Sequence, residues 1–323
     1  MNEKKRMKQL RKAIGFYSWL LIAYYMLLNY SVSMAASIQL VVNGFQAVIS
    51  ADSWEAYAEG VNQGALFVME NGWGYLAACA AGVIAIVLWK GRGYFRELFA
   101  TKQTMQGRTL VRLLCIFLSG QLVFQLVAIV EELILNRFGL SLLESIEMAS
   151  AGSDSFSMFL YMGLAAPVVE EILFRGVLMR GLEPYGRRFA IVASSILFGA
   201  FHGNLVQSPY AFAVGLVLGY TAMEYSIGWA MVLHMVNNLV LGDSLQRLTA
   251  SWPMGAADLM FWCIYLVCGI VSARLMWRQR DKIRLWLRDN PCSKNAMRAF
   301  CTAPGSIVLF LMMGANAALM LFI

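Results

Sequence analysis

The chain has 323 residues, of which 59% are hydrophobic and only 14% are charged, and its formal net charge is +7. Soluble domains are about half apolar and about a quarter charged, so this composition excludes an ordinary soluble fold. The positive charge is gathered in short segments between apolar runs, which indicates membrane topology and excludes nucleic-acid binding as its main role.

Runs of about 18 or more weakly charged residues, long enough to cross a bilayer, recur along the whole chain. We therefore predict an all-α, polytopic bundle of about nine transmembrane helices. The predicted spans are, in chain order, Gly15–Met34, Gly72–Trp89, Leu110–Val130, Met158–Met179, Phe189–Phe201, Ala211–Tyr225, Trp229–Leu241, Leu259–Trp277 and Ala303–Ile323. The fifth, sixth and seventh spans are short and contain polar residues, so their ends are the least well defined.

Lysine and arginine are concentrated at residues 4–12, 90–108 and 278–298. Short cytoplasmic loops carry an excess of these residues, and with nine spans all three segments fall on one side. We predict a cytoplasmic N-terminus in a multi-pass protein of the cell membrane, with the basic segments against anionic lipid headgroups. Residues 37–71 contain no Lys or Arg, which predicts an outer loop.

The basic N-terminus and the apolar run after it also look like a secretory signal. The run exceeds the usual signal core of about 7 to 15 residues, which favours an uncleaved anchor. The six cysteines are scattered without a CxxC spacing, and this pattern predicts packing residues, not a disulfide framework or a metal site.

Ionisable side chains inside transmembrane helices cost several kcal/mol unless they are paired or face water, so each marks a candidate site. Glu131 and Glu132, at the outer end of the third span, are interpreted as solvated carboxylates at the membrane edge. The candidates within spans are Glu170, Glu171 and Arg175 in the fourth span, His202 in the fifth, and His234, Asn237 and Asn238 in the seventh.

Helical spacing separates the roles of these residues. Side chains three or four apart share a face, so Arg175 lies one turn from Glu171 and away from Glu170. The guanidinium can neutralise Glu171 through two parallel hydrogen bonds, which makes Glu171 an orienting carboxylate. Glu170 lacks that partner and is the candidate general base. By the same spacing His234 and Asn238 project together, and Asn238 can donate to an oxyanion.

A structural alternative exists for the same residues. Glu170 and Glu171 could form an ion-pair cluster with Arg175 and Arg180, and a single histidine in a membrane helix is more often a packing residue. The chain has only two histidines, however, and both lie in apolar spans that follow the Glu pair. This concentration favours a functional site.

Three ordered motifs resemble those of a known family. EEILFRG (170–176), FGAFH (198–202) and HMVNN (234–238) are similar to the EExxxR, FxxxH and HxxxN motifs of the CPBP family, the CAAX-processing and bacteriocin-processing (Abi-like) intramembrane endopeptidases. The resemblance implies that Glu170 and His202 activate the attacking water, that His234 and Asn238 bind and polarise the scissile carbonyl, and that Glu171 and Arg175 support the arrangement.

The resemblance implies an intramembrane endopeptidase, similar to type II CAAX prenyl endopeptidases, that acts on a peptide or a membrane protein. It favours a glutamate-activated water without a cofactor. Glu170, His202 and His234 also resemble a zinc site, so zinc stays open as a cofactor. The alternative function is a non-proteolytic protein of the bacteriocin-immunity type that holds a peptide or lipid with the same polar cluster.

The organisation of the chain follows from the motifs. We divide it into N-terminal transmembrane helices with a basic cytoplasmic loop (1–109), a CPBP-like catalytic helix core (110–250) and C-terminal transmembrane helices with a basic cytoplasmic segment (251–323). Within the core, His202 lies near the outer end of its predicted span. Gly203 and the Ser208–Pro209 pair predict a break in the helix there.

Overall fold

The structure, a computed structural model, describes residues 3–50, 53–58, 71–142, 146, 155–253 and 255–322. These residues are overwhelmingly helical and contain no strand, which confirms the all-α prediction. The principal helices are α1 (Glu3–Ser50), α2 (Trp73–Leu98), α3 (Gly107–Leu118), α4 (Gly120–Leu135), α5 (Phe156–Tyr185), α6 (Arg187–Phe201), α7 (Gln207–Glu224), α8 (Ile227–Val236), α9 (Ala256–Arg278), α10 (Arg280–Asp289), α11 (Lys294–Cys301) and α12 (Pro304–Leu319).

Five helical segments among the described residues are long and apolar enough to cross a membrane. They are Glu3–Ile49, Trp73–Leu98, Gly107–Phe138, Phe156–Tyr185 and Ala256–Arg278, and the pair α11 and α12, bent by 60°, gives a sixth if it is one broken span. The chain is therefore a multi-pass membrane protein. α6, α7 and α8 are helical as predicted but are not among the helices that are long and apolar enough to cross a membrane. The nine-span count, the cytoplasmic N-terminus and the domain boundaries therefore stay predictions.

The first helix is longer than predicted. α1 continues to Ser50, so the expected outer loop is wrong over its first part. The segment 37–50 contains no proline and no charged residue, and its only glycine, Gly44, costs a helix about 1 kcal/mol, too little to end it. Residues 51–52 and 59–70 of the predicted loop lie outside the described residues.

The core is built around α5, α6 and α7. Every residue of Glu171–Met179 in α5 is buried, and α6 packs along α7. Gly199 allows this close approach, because a Cβ on it would lie only 2.7 Å from the carbonyl oxygen of Ser208. Small residues at helix contacts are a common means of tight packing in membranes.

α6 ends just before a left-handed glycine. His202 caps the helix, and Gly203 follows with a φ of +56°, a conformation that favours glycine. The side chain of Asn204 then accepts hydrogen bonds from the backbone N–H groups of Val206 and Gln207, both at 3.0 Å, and starts α7. The predicted break is confirmed at Gly203. The 208–209 pair lies instead in the first turn of α7, where proline is tolerated.

Candidate active site

A fully buried ion pair lies at the centre of the core. Arg175 Nη1 is 3.0 Å from Glu171 Oε1, and both side chains are 0% exposed, which confirms the predicted pairing across one turn. Arg175 Nη2 also donates to the Gly215 carbonyl at 3.2 Å, and its guanidinium carbon lies 4.3 Å from the Phe198 ring centroid. The expected pair of parallel hydrogen bonds is not formed, because Glu171 Oε2 has no partner.

His234 lies between the two adjacent glutamates. Its Nδ1 is 3.1 Å from Glu171 Oε1, the same oxygen that accepts from Arg175. Because an ionised carboxylate can only accept, the hydrogen on this side of the ring belongs to Nδ1. The other ring nitrogen, Nε2, is 3.7 Å from Glu170 Oε2. Glu171 therefore holds the imidazole in an orientation that directs Nε2 towards Glu170.

The two glutamates differ in their access to solvent. The Glu170 side chain is 20% exposed, whereas that of Glu171 is 0% exposed. Glu170 was expected to lie without a charged neighbour. His234 corrects this expectation, because its Nε2 lies 3.7 Å from Glu170 Oε2. At 3.7 Å the contact is too long for a hydrogen bond. Glu170 thus remains able to bond to a water or a substrate group.

His202 is fixed through the same ring nitrogen. Its Nδ1 lies 2.8 Å from the Phe198 carbonyl oxygen, which can only accept, so Nδ1 carries the hydrogen and Nε2 is left as an acceptor in the neutral ring. Phe198 packs edge-on against both imidazoles, with centroid distances of 4.9 Å to His202 and 5.8 Å to His234.

Phe198 therefore contacts both histidines and Arg175, a role that sequence reasoning did not assign. The signal was its position four residues before His202, one helical turn away.

Asn238 is held by a different neighbour. Its Nδ2 donates to the Met162 carbonyl at 2.8 Å, and its Oδ1 accepts from Asn237 Nδ2 at 3.0 Å. α8 becomes a π-helix over Asn237–Ser244, so the α-helical spacing that aligned Asn238 with His234 no longer applies. The Met162 carbonyl positions Asn238, whereas the Glu171 side chain positions His234, and the joint action of Asn238 and His234 on one group stays a prediction.

Glu131 and Glu132 of α4 make contacts away from His234. Glu132 accepts hydrogen bonds from Ser141 Oγ at 3.1 Å and from Leu142 N at 2.7 Å, and so holds the turn after α4. Glu131 lines a separate cavity of about 480 Å³ with residues of α6, α7 and α12. Neither carboxylate belongs to the cluster around His234.

The described residues contain no group of three or more His, Cys, Asp or Glu side chains that could hold a metal. A catalytic zinc site uses three protein ligands and an open position. The Nδ1 atoms of His202 and His234 already bond to a carbonyl and to Glu171. These bonds leave the Nε2 atoms of both rings available, as in zinc-bound histidines, so zinc on Glu170, His202 and His234 stays open and the need for a cofactor stays a prediction.

Comparison with protein families gives one match. Residues 152–240 match the model described as Rce1-like, type II CAAX prenyl endopeptidase Rce1-like. This segment contains all six predicted site residues and extends the motif resemblance towards the start of α5. No curated protein and no solved structure matches the chain. Residues 152–240 of this membrane protein are therefore similar to the CAAX protease family.

Proposed function

We propose that this protein is an intramembrane endopeptidase that hydrolyses a peptide bond of a peptide or membrane protein with a water activated by Glu170 and His202. The observation that supports this most is the shared Glu171 oxygen, which accepts from Arg175 and from His234. An ion pair alone does not require the imidazole. A titratable ring fixed by a buried carboxylate and directed at an accessible one is typical of acid–base chemistry.

Glu170 and His202 activate the water, because each has an acceptor atom available to bond to it. Glu170 is the accessible carboxylate, and His202 presents Nε2 because Phe198 occupies its Nδ1. In the proposed step Glu170 removes a proton from the water while His202 orients it. The water oxygen then forms a bond to the carbonyl carbon, and the π electrons move to the carbonyl oxygen.

The negative oxygen requires donors in a site that excludes bulk water. In its protonated form His234 donates from Nδ1 to Glu171 and from Nε2 to this oxygen. Asn238 uses one N–H on the Met162 carbonyl and retains a second for the same purpose. When the intermediate collapses, the carbon–nitrogen bond breaks and the proton on Glu170 passes to the leaving amine.

The test compares the membrane and secreted peptides of cells that carry the wild type, His202→Ala or His234→Ala. Either substitution should abolish the cut product while the amount of protein in the membrane stays near normal, because these groups stabilise the transition state more than the fold. Ser194→Ala is the matched control on α6, since among the described residues its buried hydroxyl bonds to the Ile191 carbonyl of its own helix.

Mass spectrometry of the peptides and quantification of the membrane fraction provide the two readouts. Loss of both histidine variants from the membrane would favour a packing role. A wild type that yields no cut product would favour a binding protein of the immunity type.

Metal removal distinguishes two ways to activate the water. If Glu170 and His202 act alone, extensive chelation should leave turnover intact, and elemental analysis should find less than one zinc per chain. If zinc were the Lewis acid, chelation would abolish turnover and added zinc would restore it.

A further inference from the structure

A continuous chain of side-chain hydrogen bonds ends on Asn238. Gln121 Nε2 donates to the Tyr210 hydroxyl at 2.8 Å, Tyr210 donates to Asn237 Oδ1 at 2.8 Å, Asn237 Nδ2 donates to Asn238 Oδ1 at 3.0 Å, and Asn238 Nδ2 donates to the Met162 carbonyl at 2.8 Å. The chain joins α4, α7, the π-helical continuation of α8 and α5. We refer to it as the amide chain.

The last acceptor of the amide chain is a carbonyl that α5 leaves without a backbone donor. Residues Tyr161–Ala165 form a π-helical turn, in which the N–H of Ala166 bonds to the carbonyl of Tyr161, five residues earlier. The next bond of that series would join residue 167 to Met162, but Pro167 has no N–H. The Met162 carbonyl is therefore open to a side chain, and Asn238 occupies it.

The Met162 carbonyl determines the direction of every hydrogen bond in the amide chain. Because a carbonyl only accepts, the amide nitrogen of Asn238 must face Met162, and its Oδ1 must face Asn237. Asn237 then presents its own nitrogen to Asn238 and its oxygen to Tyr210. Each group donates to the next in one direction, an arrangement in which neighbouring hydrogen bonds strengthen one another.

We propose that Gln121, Tyr210 and Asn237 are positioning residues that hold the Asn238 amide in the orientation required to stabilise the oxyanion. This inference rests on the proposed function, in which the second N–H of Asn238 meets the reacting oxygen. A rotated amide would bring two acceptors together at Met162 and turn Oδ1 towards the oxyanion. The same rotation would thus break the hydrogen bond to the Met162 carbonyl and remove the donor to the oxyanion.

Two substitutions test the amide chain at different links. Tyr210→Phe removes the shorter of two hydrogen bonds to Asn237 Oδ1, at 2.8 Å against 3.4 Å from Gln121 Nε2. It should lower kcat about tenfold with KM changed by less than about twofold, because Asn238 acts on the transition state. Asn237→Asp places an oxygen against Asn238 Oδ1, and it should lower kcat by about 10²-fold, as for loss of an oxyanion donor. Tyr220→Phe is the matched control on α7 and should retain wild-type kcat, because its ring packs against Trp286, away from the amide chain.

A structural readout accompanies the kinetics on full-length protein in lipid bilayers. The side-chain amide ¹⁵N resonance of Asn238, assigned by its loss in Asn238→Ala, should shift in Tyr210→Phe but not in Tyr220→Phe. Equal kcat in these two phenylalanine variants, or an Asn238 resonance that does not respond to Tyr210→Phe, would overturn the inference. A wild type without turnover would defeat the proposed function, whereas the resonance would still decide whether Tyr210 positions Asn238.

Discussion

Glu170→Gln is expected to lower turnover by about 10²- to 10⁴-fold, the usual contribution of a general base. The amide keeps the shape of the side chain and a polar atom near His234 Nε2, but it cannot take a proton from water. The free energy of unfolding should therefore change by no more than about 1 kcal/mol, the net value of one hydrogen bond. Initial rates and thermal unfolding in detergent measure the two effects.

Glu131→Gln is the matched control for this change. It converts another carboxylate of a membrane helix to an amide, but Glu131 lines the separate cavity between α4, α6, α7 and α12. Its turnover should equal that of the wild type. If Glu170→Gln instead lost stability and retained turnover, Glu170 would be a structural carboxylate and another group would be the base.

The buried pair of Glu171 and Arg175 should show the largest effect on stability. Removal of one partner from a buried ion pair leaves the other charge uncompensated, at a cost of about 3 to 5 kcal/mol. Glu171→Gln and Arg175→Met should each lower the unfolding free energy by this order, and the double variant should recover much of the loss. A double-mutant cycle of thermal stability in detergent measures the coupling.

Asp281→Asn provides the comparison for an exposed pair. Asp281 lies 3.7 Å from Arg284 Nη1, with side chains 81% and 76% exposed, so its loss should cost less than about 1 kcal/mol. Additive losses in the cycle at Glu171 and Arg175 would show that these residues do not stabilise one another. The assignment of Glu171 as the orienting carboxylate would then fail.

Local features of the fold and site were predictable because helix geometry fixes them. Glu171 and Arg175 are four residues apart, and their pairing follows from the rise and turn of a helix. The end of α6 at His202 was signalled by Gly203, whose left-handed backbone few other residues adopt. In both places the physical cause lies within a few residues of the effect.

Contacts between distant segments were not predictable in the same way. His234 meets Glu170 and Glu171 across more than 60 positions of sequence, and only the packing of α8 against α5 brings them together. The link from Asn238 to Met162 depends on a π-helical turn, which hydrophobic periodicity does not reveal.

The length of α1 was underestimated for a similar reason. Its apolar run was divided at Met34 by the expected thickness of a bilayer, whereas the helix continues to Ser50. Bilayer thickness limits the part of a helix that crosses the membrane, but it does not limit the helix itself.

The most direct test of the central claim is the oxygen content of the cut product. Wild type and Glu170→Gln are reconstituted in lipid bilayers with the peptide found by the cellular comparison, in water enriched in ¹⁸O, and the products are analysed by mass spectrometry. Hydrolysis by an activated water predicts one heavy oxygen in the new carboxyl terminus with the wild type, and a rate of product formation at least about 10²-fold lower with Glu170→Gln. Cleavage by Glu170→Gln at the wild-type rate, or no cleavage by either protein, would contradict the assignment of Glu170 as the base that activates water.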